Sequence, residues 1–174
     1  FIVRRSKAVL IVFTLTILVA GGVGSLAFGK LDSGGYSDLS SESAQASTYL
    51  NDKFGVVEPV AVLVIDSGDK PVEDAQISQA AIALEKKIAQ VPGISKTLSF
   101  WSTGGAPSMK ATDGKAAFLF AYADLKANDF DQLGKIGAQI QKDFDGANGP
   151  LTVYSSGSGV ITYAINHKIE KDLL

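Results

Sequence analysis

The sequence predicts a mixed α/β (α+β) fold, in which one apolar N-terminal helix precedes a single βαββαβ domain. Three observations predict it. The first is a run of 22 residues, 8–29, that carries no charge and is bounded by Arg4, Arg5 and Lys7 before it and Lys30 after it. The second is a pair of apolar runs of strand length, 56–65 and 115–124, each ended by turn residues. The third is a pair of helical stripes, Ile77-Ala81-Leu84-Ile88-Val91 and Phe130-Leu133-Gly137-Ile140-Phe144, each standing between strand candidates.

As a helix rising about 1.5 Å per residue, the charge-free run is roughly 33 Å long, against a bilayer core of about 30 Å. It is therefore expected to span a membrane. A cleavable signal has an apolar core of about 7 to 15 residues, which this run exceeds. The cationic cluster lies only on its N-terminal side, so the positive-inside rule puts the N-terminus in the cytoplasm. Residues 31–174 are then expected outside the plasma (inner) membrane. The expected division is 1–30 for the basic flank and transmembrane helix, 31–55 for a linker and short amphipathic helix, 56–158 for the domain, and 159–174 for the start of a helix leading to a second span.

About 140 residues beyond the anchor suffice for one hydrophobic core. The net charge of the 174-residue chain is −2. Removing the three cations before the span leaves 13 minus 18, or −5, for the rest. An acidic domain is a poor partner for nucleic acid. Cysteine is absent, which excludes a disulfide scaffold and a thiolate metal site.

In order, 32–36 carries the glycines and short polar residues of a turn. Residues 38–41 offer N-caps for a short helix over 41–54, with Ala46, Leu50 and Phe54 at i+4 steps and Gly55 as its stop. The valine-rich run 56–65 reads as a buried strand, with Pro59 keeping its first residues outside the ladder. The first stripe then gives a helix ended by Pro92-Gly93. A shorter strand over 94–101, a loop over 102–110, the Asp113-Gly114 turn and the run 115–124 follow. The second stripe gives a helix begun near Asp129 and stopped by 146–150. Residues 151–155 make the last strand, and Ile161, Ile165, Ile169 and Leu173 mark a helix from Val160 onward. The order β-α-β-β-α-β is that of a ferredoxin-like unit with two helices on one face of a four-stranded sheet, wound by right-handed crossovers.

Signals for chemistry are few. His167 is the single histidine, too few for a histidine metal site, and reads as a solvated helix residue. The pairs Glu73-Asp74 and Asp143/Asp145 stand at helix ends, where carboxylates face water. Gly157-Ser158-Gly159 follows a strand and precedes a helix, as a phosphate loop does. It lacks the remaining residues of either nucleotide fingerprint and reads as a tight structural turn. Trp101 and Met109 flank the loop between the second and third strands, where they either line a path for an apolar ligand or cap the core. No enzyme signature emerges, and no cofactor or metal is expected.

Several segments together resemble a known family. Gly34-Gly35-Tyr36-Ser37-Asp38, Ser41-Glu42-Ser43, and Leu50 to Phe54-Gly55 resemble the segment after the first membrane helix of MMPL-type transporters in the resistance-nodulation-division (RND) superfamily. Thr112-Asp113-Gly114-Lys115-Ala116-Ala117 and Ile169-Glu170-Lys171-Asp172-Leu173 resemble later segments of the same domain. Leu39 departs from the pattern, which commonly has proline there. The resemblance implies an extracytoplasmic porter domain of a proton-driven exporter of lipids or other hydrophobic molecules. Its partners would be the bilayer, the cargo, and the rest of the transporter, with further membrane helices and a second porter domain. Coupling carboxylates would lie on those helices and not in this chain. The alternative is a single-pass, membrane-anchored α/β domain that binds a partner protein or small ligand.

Overall fold

The computed structural model describes residues 6–28, 40–55, 57–125 and 129–173. The chain divides into two units, Phe1–Tyr36 and Ser37–Leu174.

The first unit holds helix α1 (Ser6–Phe28). Its apolar side chains stand exposed along the helix, as at Leu10, Phe13 and Leu18. The Thr16 hydroxyl donates to the Val12 carbonyl at 2.8 Å, which satisfies a polar group inside the helix. The side chains described without a gap run over residues 9–24, about 24 Å of helix. Among the described residues no helix is long and apolar enough to cross a membrane. The expected span over 8–29 runs past that stretch at both ends and is taken up below as a proposal. The turn expected at 32–36 lies outside the described residues.

The second unit opens with α2 (Glu42–Phe54). Ser41 caps it by accepting from the Ala44 N–H, and Gly55, at φ 64, closes it with an N–H donated to the Asn51 carbonyl. No residue of α2 is buried, so its Leu50 and Phe54 stand free of the core.

The sheet follows the expected plan with one addition. Its strands are β1 (Ala61–Asp66), β2 (Ile94–Ser99), β3 (Ala116–Ala123), β4 (Gly146–Asn148) and β5 (Leu151–Ser156), in the order β2-β3-β1-β5-β4. All neighbours are antiparallel. The first and third strands lie together; the crossover through α3 (Ala75–Ile88) skips one strand, β3, while that through α4 (Phe130–Phe144) skips β1 and β5 to reach β4, from which the chain turns back into β5, so that β2-β3-β1-β5 keep the order of a split βαβ pair. The expected four-stranded sheet thus becomes five-stranded, because β4 forms where the sequence predicts only a helix stop. Three residues with no β-branched side chain give no strand signal. Pairing with β5 across a Gly149-Pro150 loop makes it, with Gly149 at φ 61 as a primed hairpin turn requires.

Boundaries shift for local reasons. Residues 57–60 stay outside the β1 ladder around Pro59, and β2 ends at Ser99 where the chain turns. Helix α3 starts at Ala75 because the Asp74 carboxylate accepts from the Gln76 and Ile77 N–H groups. One face of the sheet is packed by Ile77, Ala81, Leu84 and Ile88 of α3 and Ile136, Ile140 and Phe144 of α4. Against them lie Leu63, Ile65, Leu119, Ala121 and Val153. Helix α5 (Ser158–Leu173) packs on α4 at glycines, and its Gly159 N–H donates to the Val60 carbonyl at 2.9 Å.

Candidate functional site

Strand alternation puts every second side chain on the side of the sheet away from α3 and α4. Residues facing one another across antiparallel ladders share a face, so the register defines this side. Val64 stands between Phe118 and Tyr154, Phe120 between Val62 and Leu98, and Tyr122 beside Lys96. The rings of Phe118 and Phe120 stack at 5.9 Å with 13° between their planes. The Lys96 ammonium lies 6.0 Å from the Tyr122 ring centroid, within cation–π range. Val62, Val64, Phe118, Phe120 and Tyr122 are half-buried, and Tyr154 is 56% exposed. The buried residues of β3 are Ala117, Leu119, Ala121 and Ala123, of which the last three pack in the helix-covered core, while its aromatic residues face the other way.

One end of this aromatic face is covered by the loop between β2 and β3. Phe100 and Met109 are buried there with Val72 and Ala117, packed against Leu98, Phe118 and Phe120. No side chain of α3, α4 or α5 belongs to this second cluster. The structure brings Trp101 and Met109 together in it. Met109 is buried, seated by the turn Pro107–Met109. Trp101 is partly buried, meets Phe100 edge-on at 5.6 Å, and donates its Nε1–H to the Val72 carbonyl at 2.9 Å.

Two carboxylates hold this loop. Glu85, buried on α3, accepts from the Ser99 hydroxyl at 2.6 Å and the Ser102 hydroxyl at 3.0 Å. Sequence reasoning missed it, although its position four residues after Ala81 and beside Leu84 set it on the core face of the stripe. Glu73 accepts a hydrogen bond from the Lys110 ammonium. That bond, helped by the backbone and by the cation's field, holds the Glu73 carboxyl below the ordinary 4.5. A carboxylate with a depressed folded-state pKa adds stability above its unfolded value that is lost as pH falls through the folded value. The loop contact is therefore expected intact at neutral pH and released only below about pH 4.5. A titration following the Glu73 and Lys110 side-chain resonances checks this, and the two should move together.

The remaining residues singled out in the sequence serve the fold. His167 is exposed and stacks on Tyr163 at 5.7 Å. The Gly159 and Ile161 N–H groups, which a phosphate would need, are already bonded to the Val60 and Gly157 carbonyls. Asp145 accepts from the backbone and hydroxyl of Ser155, and Asp143 accepts from Gln139. Among the described residues, no three His, Cys, Asp or Glu side chains gather as metal ligands would.

No protein-family model matches the chain. No curated protein matches it. Among solved structures it is similar to one described as "Mycobacterial membrane protein MmpL11D2", with a TM-score of 0.38 and 16% identity over 55% of this chain and 99% of that one. A likeness of that size identifies neither a shared fold nor a shared activity.

Proposed function

We propose that this chain supplies the first membrane helix and the extracytoplasmic porter domain of a proton-driven, MMPL-type exporter of the RND superfamily, moving lipids or other hydrophobic molecules. The observation that carries this reading is the aromatic sheet face, whose residues Val62, Val64, Phe118, Phe120, Tyr122 and Tyr154 lie outside the helix-packed core. An apolar surface of this kind is a place for apolar cargo or for a neighbouring domain. The exposed apolar side chains of α1 support an anchor in lipid, with residues 31–174 outside the plasma membrane. Trp101 and Met109, at the covered end of the face, would shape the approach of cargo to it. Proton-relay carboxylates belong on other membrane helices, where a buried acid can bind and release a proton as access alternates.

The test is a charge placed on the face at its most exposed ring. In the intact exporter, Tyr154→Glu is expected to cut export of a fluorescent lipid about tenfold, a penalty of about 1.4 kcal/mol for cargo on the face, with protein abundance unchanged. Normal export at normal abundance overturns the reading.

One observation favours the second reading, a single-pass anchored domain that binds a partner protein or small ligand. Ile161, Ile165 and Ile169 form an exposed apolar stripe on α5, a surface that a separate chain would cover. Native mass measurement distinguishes the two: a stoichiometric second chain supports the alternative.

A further inference from the structure

An asparagine followed by glycine is a chemically weak point in a chain, because the glycine nitrogen can attack the asparagine side-chain carbon with no β-carbon in its way. Asn51 and Asn128 precede aspartate and Asn166 precedes histidine; only Asn148 precedes glycine. The fold sets this pair in the β4–β5 hairpin. Asn148 ends β4 opposite Leu151, and Gly149 is exposed in the turn at φ 61. Among the described residues no carbonyl accepts from the Gly149 N–H.

The Asn148 side chain is held. Its Nδ2 donates to the Phe144 carbonyl at 2.6 Å and to the Gly146 carbonyl at 3.4 Å. Phe144 is the last residue of α4, where carbonyls lack partners inside the helix. One amide thus clasps the hairpin to the end of α4.

We propose that Asn148-Gly149 is a deamidation site, slowed in the folded chain by this clasp and releasing β4 from the sheet once it reacts. The Gly149 nitrogen forms a bond to Asn148 Cγ as the bond from Cγ to Nδ2 breaks, and ammonia leaves with the proton that the Gly149 nitrogen gives up. Water then opens the cyclic imide at either of its carbonyls, giving aspartate or isoaspartate. Nδ2 departs in this step, so both clasp bonds are lost. Aspartate has no N–H to restore them, and it sets a negative charge beside the negative end of α4. Isoaspartate lengthens the main chain within a strand of three residues, whose register with β5 has no slack. Either product leaves β5 as an unpaired sheet edge. This chemistry is independent of what the aromatic face binds.

The full chain is incubated at mildly alkaline pH, folded in buffer and unfolded in urea. Peptide mass mapping follows each asparagine, and isoaspartyl methyltransferase reports isoaspartate. In urea Asn148 should be converted first, and Gly149→Ala should bring it down to the rate of the other asparagines. In the folded chain its conversion should be at least about tenfold slower than in urea, a factor set by how rarely the hairpin opens. Asn148→Asp, which carries one of the two products, should speed hydrogen exchange of the β4 amides about tenfold, the equivalent of one lost hydrogen bond, and leave the Leu63 and Leu119 amides unchanged. Conversion in urea no faster than at the other asparagines overturns the site, and equal rates folded and unfolded overturn the clasp. Unchanged β4 exchange in Asn148→Asp overturns the release of β4. If that variant fails to fold, exchange measured on the deamidated wild-type chain decides the same point.

Discussion

Gly137→Ala is expected to destabilise the domain by about 3 kcal/mol or more, at the upper end of what overpacking costs. A β-carbon at Gly137 would overlap the Gly159 carbonyl and stand 2.5 Å from the Val160 nitrogen. Those are backbone atoms of α5, held by the Gly159 bond to Val60, so no rotamer change relieves the clash. The helices must separate. Gly134 lies one turn earlier on the same helix and is equally buried. Its added β-carbon would meet Thr162 Cγ2 at 3.6 Å and Asn166 Nδ2 at 3.9 Å, both ordinary contacts. Gly134→Ala should therefore be neutral or stabilising, by up to about 1 kcal/mol from helix propensity. Thermal unfolding of the pair checks this: a fall of roughly 10 °C for the first and none for the second. Equal losses in both would mean that α4 and α5 do not meet at Gly137.

The second large effect separates the two faces of the sheet. Leu63 is fully buried under the helices, and Leu63→Ala should cost about 2–5 kcal/mol for the lost transfer energy and the cavity left behind. Its neighbour Val64 lies on the aromatic face and is half-exposed. Val64→Ala should cost about 1 kcal/mol or less, since its methyls are only partly removed from water. Urea denaturation midpoints measure both. Similar costs at the two positions would show that the second face is covered as thoroughly as the first.

The parts legible in the sequence are those that local rules control. The stripes of α3 and α4 repeat often enough to place both helices, and Phe130–Phe144 has the expected limits because the Asp129 carboxylate accepts from the Gln132 N–H. The β-α-β-β-α-β order was readable because each strand stands between turn residues. What depended on long-range packing was hidden. Strand β4 exists only through β5, and Glu85 reads as a surface charge until Ser99 and Ser102 are brought beside it. The run 115–124 is apolar on both sides, so alternation could not show which face the helices cover. For that reason Phe118, Phe120, Tyr122 and Tyr154 did not stand out as one surface, and only Trp101 and Met109 were singled out beside it.

The claim on which the rest depends is that α1 sits in the membrane and holds the domain outside the cell's cytoplasm. Because the chain has no cysteine, Lys135→Cys introduces a unique thiol, on a side chain that is 78% exposed. Intact cells producing that variant are treated with a membrane-impermeant maleimide. Labelling before any permeabilisation is the predicted result, and labelling only after lysis would contradict it.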